Sequence, residues 1–234
     1  MKVSKLFSLL LLAMLISFTA CLDDDGDEGF QFQFDYNFAT NQNGWSGDFA
    51  DYPVGEEDFY ELSFSHDTLP SPLDKTKKAL RIHGSNRSDD LFMFTKKKLT
   101  GLAPNTEFEV EFEFELASQY PENSIGAGGS PGGSSYIKAG AGAIEPKKIA
   151  KDDFYELNLD KGQQSQGGKD AIVIGTLGIT GNDYIYKLIR RDNNETSFKA
   201  KTDAEGNLWV YLGVDSGFEG ITTFYVTKAT IRLK

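Results

Sequence analysis

The chain has 234 residues, with 35 Asp and Glu against 24 Lys and Arg and a formal charge of −11. A surface this acidic repels phosphate backbones and anionic headgroups, which argues against nucleic-acid binding and against electrostatic adhesion to a membrane. About 200 residues beyond the N-terminal segment suit one all-β domain, and a single cysteine rules out an intramolecular disulfide.

Lys2 and Lys5 precede an apolar run from Leu6 to Phe18. That run is short of the roughly 20 residues that cross a bilayer as a helix, and it suits a secretory leader. Phe18-Thr19-Ala20-Cys21 follows and resembles a bacterial lipobox. The resemblance implies a signal peptide over residues 1–20 and lipidation of Cys21 as the first mature residue. Residues 21–29 then pack five acids beside almost nothing apolar, which makes a solvated tether. This segment resembles the acidic export signal of Bacteroidota surface lipoproteins, implying an outer-membrane, lipid-anchored and surface-exposed protein. A spacer on a lipoprotein facing the periplasm is the alternative.

From residue 30 the chain reads as short strands. Phe30 to Tyr36 alternates aromatic and polar residues; Phe38 to Gly47 is a loop carrying Trp45; a strand is expected over Phe59–Ser65. Pro70-Ser71-Pro72 forbids regular pairing. Ala79–His83 and Leu91–Leu99 come next, and Gly101 to Asn105 reads as a turn. In Thr106–Ser118, Phe108, Val110, Phe112, Phe114 and Leu116 alternate with Glu107, Glu109, Glu111, Glu113 and Glu115. Only a strand sorts these onto two faces, one buried and one wet. Gly126 to Gly133 is too glycine-rich for a core element. The small-residue strand Ser135–Ala143 invites close approach by a backbone or a ligand. Phe154–Leu159, Ala171–Ile179, Tyr184–Arg191, Ser197–Lys201, Leu208–Val214 and Thr223–Leu233 complete the set, with a polar loop at Lys161–Lys169.

Short strands at this spacing predict an antiparallel sandwich or barrel. The layout of the Leu80-Arg81-Ile82 segment, the paired long strands and the closing strand Phe224–Lys234 resembles the galactose-binding-like jelly rolls of carbohydrate-binding modules. The resemblance implies one jelly-roll β-sandwich domain over residues 30–234 and makes a structural Ca²⁺ a candidate cofactor. Asp89 and Asp90, in a Ser/Asn-rich loop, are the candidate ligands, because hard cations take carboxylate and carbonyl oxygens. The same pair also reads as an ordinary turn. Zinc is disfavoured, since His66 and His83 are the only histidines and lie in separate segments.

Catalysis finds little support. His83 beside Ser85 and Asp89 lacks a nucleophile-elbow setting, and the Glu107–Glu115 row reads as the solvated face of a strand. No P-loop Lys follows the Gly126–Gly133 loop. Sugar recognition needs a flat ring beside hydrogen-bonding side chains. Trp45, Tyr52 and Tyr120 in loops and Trp209 in an alternating strand are the candidate platforms, with Asn43, Asp48, Asn86, Arg87 and Asp89 as polar partners; each of these rings also reads as core packing. The expected function is therefore non-catalytic glycan binding at the cell surface. The alternative is a structural or adhesive component that docks an envelope protein. For the anchor, Cys21→Ser is expected to move the protein from the membrane pellet to the soluble fraction; continued sedimentation with membranes would refute the lipoprotein reading.

Overall fold

The computed structural model describes residues 30–87 and 90–234, so Cys21, the acidic tether and Asp89 lie outside the described residues. All regular structure among the described residues is β. The first sheet is antiparallel and contains β1 (Phe32–Asn37), β4 (Ser63–Thr68), β5 (Lys78–Ser85), β7 (Glu107–Ser118), β12 (Lys187–Asp192), β13 (Lys199–Lys201) and β15 (Ile221–Leu233). Its order runs β12-β7-β15-β5-β4, with β1 extending the pairing of β15 and β13 that of β7. The second sheet runs β11-β8-β14-β6-β2, built from β2 (Ser46–Ala50), β6 (Leu91–Leu99), β8 (Ser135–Gly142), β11 (Ile172–Thr176) and β14 (Leu208–Ser216). Together they form a jelly-roll sandwich. A small third sheet, β3 (Tyr52–Pro53), β10 (Phe154–Leu157) and β9 (Lys148–Lys151), adds a further layer.

β7 does what its alternation dictates. Phe108, Val110, Phe112, Phe114 and Leu116 are at most 1% exposed in the core between the two main sheets. The opposite face is wet, and basic neighbours neutralise it. Lys234 reaches Glu111 at 3.2 Å, Arg190 reaches Glu113 at 3.0 Å and Lys228 reaches Glu115 at 3.2 Å. The acid row is thus a strand's solvated face, as its period implies.

The second sheet departs from the one-wet-face expectation, because it is buried on both sides. On β6, Leu91 and Met93 enter the main core, while Phe92 and Phe94 turn outward into a second cluster with Ala50, Leu157, Ala171 and Tyr211. Glycine makes that second layer fit. A Cβ at Gly213 would lie 2.2 Å from the Phe92 ring, and one at Gly140 would lie 2.2 Å from the Asp170 carbonyl oxygen. The small-residue strand therefore admits a backbone of its own chain.

Two local expectations change. The stretch Phe59–Ser65 splits into a turn and a strand: Tyr60 donates to the Glu56 carbonyl and Glu61 sits at φ 54°, so β4 begins only at Ser63. The loop expected over Phe38–Gly47 ends earlier, in β2, and Trp45 is drawn inside. Its indole is 1% exposed and meets Tyr36, Phe38 and Phe114 edge-on at centroid distances of 5.5, 5.8 and 6.4 Å. Phe114→Ala should open a cavity in this aromatic group and cost about 3–5 kcal/mol, read as a lowered urea midpoint with unchanged slope.

Candidate functional site

The residues singled out from sequence do not converge. Trp45 is core and offers no ring face. Asn86 is 2% exposed, and its amide donates to the carbonyls of Ser216 at 2.8 Å and Phe218 at 3.1 Å, so it ties the end of β5 to the loop after β14. Trp209 is half-buried on the outer side of the second sheet, with the Lys96 ammonium 5.9 Å from its ring. It sits seven positions along β14 from Ser216, on the order of 20 Å at strand rise, which separates it from Asn86. Asp48 accepts from the neighbouring Phe49 N–H at 2.9 Å. Tyr52 is fully buried, whereas the exposed Arg87 and the buried Tyr120 both belong to the surface described next.

That surface is the open side of the first sheet near the β4, β5 and β15 strands. Cross-strand pairing puts Ser63, His83 and Thr223 in one row and Ser65, Arg81 and Tyr225 in the next, all on one face. Arg81 donates to Ser63 Oγ at 3.0 Å, and His83 Nδ1 lies 2.6 Å from Thr223 Oγ1. His83 Nε2 is 3.9 Å from Glu61, which pairs with Arg87 at 3.1 Å, and the Arg87 guanidinium covers the Phe59 ring at 5.0 Å. On the far side, Tyr186 meets Tyr225 edge-on at 5.6 Å and Tyr184 meets Tyr120 at 6.5 Å. Tyr120 in turn accepts from the Thr223 N–H at 2.7 Å. Phe59 and Tyr184 are 57% and 53% exposed. Burial, helped by the Arg81 charge and opposed by Glu61, pushes His83 down from its ordinary value, so it is neutral at neutral pH.

Sequence reasoning named Arg87 and Tyr120 as sugar contacts and weighed His83 only for catalysis and zinc; it missed the rest. Tyr184 and Tyr186 lie in a segment read as a strand, and nothing local shows that they come beside β5 and β15. The alternation of Leu80 and Ile82 with Arg81 and His83 did signal that the latter pair share an outward face.

A second constellation is buried. Asp90, expected as a calcium ligand, meets Asp51 and Asp215, with one carboxylate oxygen from each lying within 4.8 Å of the others. Two lysines enter the same space. Lys138 and Lys161 reach Asp215 Oδ2 at 2.7 and 2.8 Å, and Lys161 reaches Asp51 at 3.0 Å. The backbone carbonyls of Lys161 and Gln166 complete the Lys138 ammonium at 2.9 and 3.0 Å. A divalent cation placed here would face two ammonium groups at contact range, so the donor set fits an internal charge network better than a metal. Burial would raise Asp215, yet the two lysines hold it below its ordinary value. Asp90 is the surplus acid. Burial raises it, with Asp215 and Asp51 adding to the effect against Lys161, and it is pushed up to about 7.

Two outcomes follow from this network. Lys161→Met strips the counter-charge from two buried carboxylates and should cost about 3–5 kcal/mol in urea unfolding. Unfolded, Asp90 releases its proton near pH 4, whereas the folded chain keeps it to about pH 7. Its contribution to stability is therefore lost as pH rises between those values. Asp90→Asn should gain stability over the parent at pH 8 and lose that advantage at pH 4; a difference independent of pH would refute the assignment.

No family model matches the chain, and no curated protein matches its sequence. Among solved structures, it is similar to the CBM22-1 xylan-binding domain of Paenibacillus barcinonensis Xyn10C (14% identity, TM-score 0.38, covering 86% of this chain and 92% of that one). A proposed sugar-binding protein from Bacteroides thetaiotaomicron (10%, 0.41, 85% and 92%) is also similar. So is the K3 cleaved adhesin domain of Lys-gingipain from Porphyromonas gingivalis (9%, 0.37, 87% and 99%). Likeness at this level does not carry a function across.

Proposed function

We propose that this protein is a lipid-anchored, non-catalytic glycan receptor of the outer bacterial surface. One observation carries the reading: on an open sheet face, the exposed rings of Phe59 and Tyr184 flank a row of hydrogen-bonding side chains. Aromatic faces take the apolar side of a pyranose by van der Waals contact and CH–π attraction. Ser63 and His83, neighbours across the sheet, and Arg87 and Glu61 beside them supply donors and acceptors suited to hydroxyls projecting from a ring. A shallow open face fits a polymer that lies across it, since its ends need not thread a pocket. The anchor and the acidic tether belong to the same proposal, holding such a face away from the membrane. The docking alternative draws on the exposed Ile185 and Ile221 near the same end.

The mature protein should bind members of a glycan array, run with and without calcium to test an ion contribution from the loop carrying Asp89 and Asp90. Phe59→Ala and Tyr184→Ala should each weaken binding about tenfold, the effect of losing one well-packed ring. Both residues are more than half exposed, so thermal unfolding should not change. An array without binding would sink the glycan reading and turn attention to envelope proteins.

A further inference from the structure

The arginines of this chain are satisfied in different ways. Arg190 and Arg232 each pair with Glu113, at 3.0 and 3.3 Å, and Arg87 pairs with Glu61. Arg191 spends its guanidinium on the carbonyls of Thr176, Gly178 and Arg190. Arg81 differs. Among the described residues it has no carboxylate within 4.0 Å, and its one hydrogen bond is to Ser63 Oγ. A guanidinium carries five N–H donors in a planar fork, so most of that capacity is unused. The residue is partly buried on β5, between β15 and the edge strand β4.

In a chain of net charge −11, Arg81 is the arginine that, among the described residues, has neither a carboxylate partner nor a set of carbonyls to fill its fork. Its neighbours on the face are Ser63, Ser65, His83 and Tyr225, with Tyr186 packed against the last; none of them carries negative charge at neutral pH. Among the described residues, Glu61 on the same surface is already taken by Arg87. The Glu row of β7 meets Lys228 and Arg232 further along the sheet.

We infer that Arg81 receives the carboxylate of an acidic sugar, so that the glycan held on this face contains uronic acid. This rests on the glycan reading above and narrows it. A carboxylate matches the guanidinium fork with two parallel N–H···O bonds. The partly buried Tyr186 ring, packed on the buried Tyr225, stands on the same side to meet the sugar ring, and Ser63 and His83 face the adjoining hydroxyls. A neutral sugar would leave the fork unfilled.

The test uses the full mature protein in detergent with polygalacturonate and alginate, their methyl esters, and neutral and sulfated glycans from the array. Binding of a uronate at least tenfold tighter than its ester, weakening between 50 and 500 mM salt, is the expected result. Arg81→Met should erase the preference for acid over ester, and Arg81→Lys, which keeps the charge without the fork, should retain only part of it. Equal binding of acid and ester, a preference that survives in Arg81→Met, or preference for sulfated over carboxylated glycans would overturn the inference while leaving the glycan reading intact. Absence of binding to every glycan would overturn both. Thermal unfolding of each variant establishes that a loss of binding is not a loss of fold.

Discussion

Two-residue periodicity in β7 is the constraint on which this molecule turns. It commits five large apolar side chains to one side of the first sheet and five carboxylates to the other. The apolar side requires partners of similar bulk, which Trp45, Phe38 and Phe198 provide. The carboxylate side must stay wet or find counter-charge, and Lys228, Arg190, Arg232 and Lys234 gather along it. Because that face stays open, it is also available for recognition.

The second sheet solves the opposite problem. Covered on both sides, it has no wet face on which to place polar groups, so Lys138 and Asp215 are taken inside together. An isolated buried charge is costly, and pairing recovers stability only when the remaining hydrogen bonds are met. Lys161, brought in by the loop before β11, supplies the second cation, which is why a stretch that reads as an unremarkable polar loop is held in place. With three acids and two bases the network balances when Asp90 holds a proton.

This division of labour underlies the proposed function. The covered sheet pairs its buried charges with one another, while among the described residues the open sheet presents unspent hydrogen-bonding capacity, most of all at Arg81. The rings at its margin come from distant segments, Phe59 before β4 and Tyr184 before β12, and only the strand order brings them to one face. The proposed recognition face thus sits where the fold leaves polar groups and rings exposed together.

Local pattern alone settled the β class, the approximate strands, the inward and outward sides of β7, and the wet nature of its acid row. These follow from side-chain alternation, which is fixed by backbone geometry within a few residues. The expectation of a leader and a tether over residues 1–29 likewise rests on local composition. Neighbours across strands are different: they depend on sheet order, which the strand sequence does not encode. That is why Trp45 looked like a loop platform yet fills the core, why Asp90 found two lysines beside it, and why Arg81 escaped notice although its outward direction was readable. Alternation tells which way a side chain points; only the tertiary structure decides what it meets.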